Sequence, residues 1–215
     1  SRGIDRTIFQ PDRRSDEWRQ SLGIAPDDVV IGFVGRLVME KGLDVFADTV
    51  DQLQRREVRH KVLVVGEGPA RDWFEKRLPD AVFAGFQTGE NLGRAVASMD
   101  MLFNPSVTET FGNVTLEAMA AGLPVVAARA TGSESLIEDA ITGRLIQPGR
   151  THAFADALQH YCEKAELRRR VGGAGLKSSA RYGWDQVNQE LVDSYVRIVR
   201  QHRAGVRVVR QSPVP

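Results

Sequence analysis

Several features are scarce in this chain of 215 residues, and each scarcity excludes something. Cys162 is its only cysteine, so no internal disulfide can form; this fits a reducing compartment and a fold held by its core. Neither sign of charge is in excess, since 29 Lys and Arg against 28 Asp and Glu leave a formal +1. The whole-chain balance therefore favours neither nucleic acid nor an acidic partner. No apolar run is long enough to span a bilayer. The opening SRGIDRTIFQPDRR is polar and charged and does not read as a secretory leader. It also lacks an initiator Met, and the expectation is a piece of something longer. No D-x-D carboxylate pair stands where a divalent ion would be held. A full G-x-G-x-x-G fingerprint is missing too: VVGEGPAR carries Arg71 where the third glycine is needed, which speaks against an NAD enzyme. The four histidines, His60, His152, His160 and His202, fall outside every loop singled out below and read as surface or packing residues.

What is present is an alternation. Short apolar, β-branched runs occur at 29–35, 61–68, 81–86, 101–106, 123–128 and 143–149, each closed by glycine or a polar turn. Between them lie segments with apolar residues at helical spacing, such as LDVFADTVDQLQRR. Continuous apolar strands alternating with helices predict a parallel sheet buried on both faces. The fold class expected is α/β, a Rossmann-like three-layer α/β/α arrangement with a six-stranded parallel sheet, followed by C-terminal helices. Three helices are expected beyond Gly149, with breaks near Glu163 and at 182–184; Phe154, Leu158 and Tyr161 fall at core spacing. Residues 1–200 are expected to form one domain. Residues 201–215, basic and without helical periodicity, are expected to fray.

In such sheets ligands sit beyond the carboxyl ends of the strands. The first strand-end loop, GRLVMEKG, places Gly35, Arg36 and Lys41 there; a guanidinium fork and a mobile ammonium suit a diphosphate, although Arg36 could instead pair with Glu40. Gly66 and Gly68 read as a tight turn with close backbone approach. Gly85 and Phe86 end the third strand. After the fourth comes TETFGNVTLEAMAAGLPVVA, in which Asn113 is the expected N-cap of a helix stopped by Gly122. The amides of Asn113 and Val114 would face the ligand edge and attract phosphate. Glu109 precedes this helix and Glu117 lies in or just beyond its first turn. Taken singly, each acid reads more simply as solvated or as compensating a helix dipole. Together with the cations they suit a ligand with phosphates in its middle and hydroxyl-rich rings on both sides, because an ionised carboxylate only accepts hydrogen bonds and a diol donates two.

The segments GRLVMEKGLD, VVGEGP, FAGF, NPSVTETFGNVTLEAMAAGLPVVA and GSESLIEDAITGRLIQPG occur in the order found in family-4 glycosyltransferases, which the chain resembles from about Gly3 to about Val199. It looks like the C-terminal, donor-binding half of a retaining enzyme of the two-domain GT-B fold. The resemblance implies that Arg36 and Lys41 hold the donor diphosphate and stabilise it as it leaves. It implies that Glu109 contacts the transferred sugar, and that Phe111, Gly112, Asn113 and Val114 lie against sugar and phosphates. Glu117 would accept from the ribose, and Gly85 and Phe86 would hold the base. The partner implied is a nucleoside-diphosphate sugar, GDP-mannose by the wording of the helix segment or else a UDP-sugar, with no cofactor and no metal. Acceptor recognition would belong to an N-terminal domain absent from this chain, to which the last helix crosses in relatives, leaving Trp184 and Tyr195 short of partners. The basic set Arg197, Arg200, Arg203, Arg207 and Arg210 could meet anionic lipid in the full-length protein, though a solvated helix end is the simpler reading. The resemblance places the protein in the cytoplasm, with contact at the inner face of the membrane as one option. Rivals are a non-catalytic nucleotide-sugar-binding module, a phosphorylase or epimerase of the same fold, and a Rossmann oxidoreductase.

Overall fold

In the computed structural model, residues 3–108 and 110–209 are described. Six strands, β1 (Val30–Val34), β2 (Lys61–Val65), β3 (Val82–Phe83), β4 (Met101–Asn104), β5 (Val125–Ala128) and β6 (Arg144–Ile146), form one sheet in the order β3-β2-β1-β4-β5-β6. Every pairing is parallel, as the continuous apolar runs require. The helices are α1 (Asp16–Ser21), α2 (Leu43–Arg55), α3 (Arg71–Arg77), α4 (Gly89–Ala97), α5 (Asn113–Ala120), α6 (Thr131–Glu134), α7 (Thr151–Glu163), α8 (Ala165–Ser179) and α9 (Trp184–Val209). Short α1 lies in the polar opening stretch, where sequence periodicity gives no sign of it. The Ser15 hydroxyl caps it, accepting from the Trp18 amide at 3.1 Å.

Strand periodicity sorts the core. Ile31, Phe33, Val62, Val64, Met101, Phe103, Val126 and Ala128 alternate along their strands and share one cluster with Phe46, Phe74, Phe154, Leu158 and Tyr161 of α2, α3 and α7. Its aromatics pack edge-on, stacked or tilted, with Phe46 stacked 4.9 Å from Phe103 and Phe103 tilted 5.2 Å from Phe154. Helix α5 packs on β4, β5, α4 and α8. On α8, Gly172 is bare because a β-carbon there would stand 2.0 Å from the Gly122 carbonyl.

Residues 6–180 form one compact unit, and residues 3–5 form a second with residues 181–209. Within that second unit the Ile4 amide donates to the Tyr182 carbonyl at 2.8 Å, and Gly3 lies against the Trp184 ring, leaving no room for a β-carbon. Helix α9 continues past residue 201 as far as Val209. Extending a formed helix adds one hydrogen bond per residue fixed, and no proline interrupts the chain before Pro213. Residues 210–215, Arg210 among them, lie outside the described residues. The helix breaks expected near Glu163 and at 182–184 are where α7 gives way to α8 and where α9 begins.

Candidate functional site: a rim of strand-end loops

The loops at the carboxyl ends of the strands touch one another in the order of the sheet. At the β3 end, the Gly66 amide donates to the Gly85 carbonyl at 2.8 Å, and a Glu67 carboxylate oxygen lies 3.3 Å from where Gly85 would carry a β-carbon. Between β2 and β1 the approach is tighter still. A β-carbon on Gly66 would stand 1.8 Å from the Gly35 carbonyl oxygen, and its φ of +141° suits glycine alone. The Leu37 amide also donates to the Glu67 carbonyl at 2.9 Å. Between β1 and β4, the Thr108 hydroxyl donates to the Glu40 carbonyl at 3.2 Å, and Gly42 lies 3.1 Å, by the same measure, from the Pro105 carbonyl. Between β4 and β5, Gly112 faces the backbone of Gly132 at 3.4 Å. The result is a continuous rim from Phe86 at one end to α6 at the other.

Phe86, at the β3 end, is 72% exposed, so its ring offers an open face. Arg36 is exposed, and no ion pair joins it to Glu40 among the described residues. Lys41 is half-buried at the end of the 3-10 turn Met39–Lys41. Arg129, just past β5, stands 3.5 Å from both Glu134 and Asp139. Glu109 lies outside the described residues. Phe111 and Val114 are half-buried and Asn113 is exposed.

Helix α5 differs from expectation at its mouth. Its N-cap is Gly112, at φ +85°, and Asn113 is already the first helical residue. Glycine carries no side chain to cap the helix; the chain turns in through the left-handed region, where a β-carbon on residue 112 would also press on Leu136. The first bond within the helix runs from the Leu116 amide to the Gly112 carbonyl, and the amides of Asn113 and Val114 have no backbone acceptor among the described residues. At the other end, Gly122 and Leu123 close the helix onto the carbonyls of Met119 and Ala118, the stop expected. Glu117, in the second turn, is half-buried with no side-chain partner among the described residues, and burial pushes its carboxyl up to about 7.

Sequence reasoning missed a polar chain beneath this helix. The Asn104 amide donates to the Thr115 hydroxyl at 3.3 Å, and its carbonyl oxygen accepts from the Ser106 amide at 3.3 Å. The Ser106 hydroxyl in turn accepts from the Thr108 amide at 3.3 Å and lies 3.2 Å from the Thr108 hydroxyl. The available signal was Asn104, a polar residue closing an otherwise apolar strand. The histidines stay out of the rim: His60 Nδ1 is 2.7 Å from the Val58 carbonyl and His160 Nδ1 is 2.8 Å from the Asp156 carbonyl. Two surface grooves, of about 410 and 520 Å³, lie at the opposite, amino edge of the sheet, where ligands of open α/β sheets do not bind.

Residues 28–164 match the profile of the family described as Glycosyl transferases group 1. The chain is 35% identical over 190 residues to the sulfoquinovosyl transferase SQD2 of Arabidopsis thaliana, an alignment covering 86% of this chain and 36% of that protein. It is 36% identical over 202 residues to a GDP-mannose-dependent alpha-mannosyltransferase of Mycolicibacterium smegmatis, covering 92% and 51% respectively. The chain thus spans about half, or less, of these relatives' length. Among solved structures, HepE of Anabaena in complex with UDP and glucose superposes with a TM-score of 0.79 at 25% identity, over 91% of this chain and 55% of that one. Sheet order, rim and kinship agree: the chain belongs to the group 1 glycosyl transferases.

Proposed function

We propose that this chain is the donor-binding part of a retaining, family-4 hexosyltransferase that takes a nucleoside-diphosphate sugar. The observation that carries the reading is the rim: it sets the Arg36–Lys41 loop against the loop leading into α5, whose first amides have no backbone acceptor among the described residues, and puts Glu117, a carboxylate with no side-chain partner among them, one turn further along. On this reading Arg36, Lys41 and the α5 amides receive the diphosphate. When the bond from the anomeric carbon to the diphosphate breaks, negative charge builds on the diphosphate oxygens, and these groups stabilise it without a metal. Glu117 accepts from the ribose, Gly85 and Phe86 border the base, and Glu109 meets the sugar. Gly35 and Gly66 keep the loops close enough to share one ligand. The names of the relatives support a nucleotide-sugar donor, GDP-mannose being named in one and UDP with glucose in another. An acceptor domain lies outside this chain, and the half-length match supports that division. The exposed apolar side chains of α9, Leu191, Tyr195 and Ile198 among them, suit cover by that domain. The site works on the cytoplasmic side, with membrane contact left to the full-length protein; no helix among the described residues is long and apolar enough to cross a membrane.

Titration with GDP, UDP, ADP and their sugars, followed by thermal unfolding, tests this. A ligand at about 100 times its dissociation constant adds roughly 2.7 kcal/mol. Stabilisation by GDP or UDP, lost in Arg36→Ala, is expected. A response to NAD and to no nucleoside diphosphate would overturn the proposal, and transfer by this chain matching that of a full-length relative would overturn the division of labour.

A further inference from the structure

We infer that Thr108, held by Ser106 and Asn104, is a positioning residue: it fixes the turn that carries Lys41 against the helix that offers its amides. This rests on the donor reading above. The two halves of the anion cradle come from different strand ends, Lys41 from the loop after β1 and the amides from α5 after β4. A diphosphate gains from both only if their separation is set before it arrives, because ordering a loop at the moment of binding subtracts from affinity. The side-chain chain supplies that setting. It starts on Thr115, wholly buried in the first turns of α5, and passes to Asn104 at the end of β4. It continues through Ser106, 1% exposed, to Thr108, whose hydroxyl ends on the Glu40 carbonyl. Glu40 is the residue immediately before Lys41, inside the turn Met39–Lys41. Two bonds within the turn are local, from the Lys41 amide to the Val38 carbonyl at 3.0 Å and from the Gly42 amide to the Met39 carbonyl at 2.9 Å, and they shape it. Its ends are anchored by the Leu37 amide on the Glu67 carbonyl and by α2, whose first bond returns to the Gly42 carbonyl. Thr108 ties its middle to the loop after β4, with the Gly42–Pro105 approach serving as a steric stop on the same side.

Thr108→Val keeps the branched shape and removes the hydroxyl, and Thr108→Ser keeps the hydroxyl. Thr108 is exposed, so both variants should fold. Two readouts are needed. The first requires no ligand: amide hydrogen exchange at residues 39–42 should quicken in Thr108→Val and return to the parent rate in Thr108→Ser. The second is the ratio of GDP to GMP affinity, with UDP and UMP as a parallel pair. It reports the contribution of the second phosphate and is blind to a uniform loss of folding. Thr108→Val should cut that ratio about five- to tenfold, the worth of one ordinary hydrogen bond, while GMP binding holds. Unchanged exchange at 39–42 overturns the proposal, whatever the nucleotides do. Quickened exchange with an unchanged ratio overturns the positioning role. If the parent chain binds none of the four nucleotides, the donor reading fails, and the positioning role fails with it even where exchange responds.

Discussion

On the donor reading, Glu117 carries both a cost and a function. Its carboxyl is pushed up to about 7 because burial strips water from the charged form and no cation among the described residues replaces it. In the unfolded chain it titrates near 4.5, so between these values the folded state binds more protons. Stability is therefore fully present below about pH 4.5 and declines as pH rises through about 7, by on the order of 3 kcal/mol across the window. Glu117→Gln removes the charge and should flatten the decline, melting above the parent at pH 8 and level with it near pH 4.5. Thermal unfolding across that range checks this, and an unchanged profile would show that the carboxyl is not the group responsible. On the donor reading, a ribose diol donates to the ionised form, so GDP or UDP should bind more weakly at pH 6 than at pH 8 and should release protons on binding near pH 6.5. Calorimetry in two buffers of different ionisation enthalpy measures that release.

At the scale of elements, the ligand edge depends on how closely consecutive strand ends approach. Gly66 is the tightest point, with the Gly35 carbonyl where its β-carbon would be and a φ that disfavours any side chain. Gly66→Ala combines backbone strain with overpacking and should lower stability by about 2–5 kcal/mol in denaturant unfolding. On the donor reading, nucleotide affinity should fall too, because β1 and β2 must part to admit the methyl group. Arg71, one helical turn further on, is held by Glu67 and Glu75. The third fingerprint glycine is thus replaced by an ion-paired surface residue, and what this turn supplies is close packing of loops.

Across the larger unit, Arg19 is the buried cation among those that tie the polar opening stretch down. Arg19 is 0% exposed; its guanidinium donates to the carbonyls of Ser98, Ala25 and Asp28 and meets the Asp100 carboxylate at 3.1 Å. Asp100 also accepts from the Val30 amide at 2.8 Å, so one carboxylate holds α1 and the start of β1 together. Asp100→Ala strands a buried charge and should cost about 3–5 kcal/mol. Arg14→Ala removes a partly exposed cation 3.4 Å from the same carboxylate, and should cost under about 1 kcal/mol. Urea unfolding of the two variants separates them, and equal losses would mean that burial of Arg19 does not set the cost.

Local pattern alone settled the sheet. Continuous apolar runs cannot be left half-wet, so six of them alternating with helices required parallel strands covered on both faces, and the order of motifs pointed to the carboxyl edge. Gly122 as a stop, and Phe154, Leu158 and Tyr161 as core, were legible for the same reason: their signals lie within a turn or two of chain. Other features depended on groups far apart in sequence. Gly112 caps α5 in place of Asn113 because Gly132 and Leu136 crowd that position from another loop. Arg19 reads as one more surface cation until the distant Asp100 carboxylate and Ser98 carbonyl, with two nearer carbonyls, surround it. The titration of Glu117 near 7 arises from what covers it, since an acid four residues into a helix is ordinarily wet. Thr108 becomes a positioning residue only when folding brings the Glu40 carbonyl to it. Periodicity specifies which face of an element is dry, and only the packed structure specifies which groups meet there and how much water they lose.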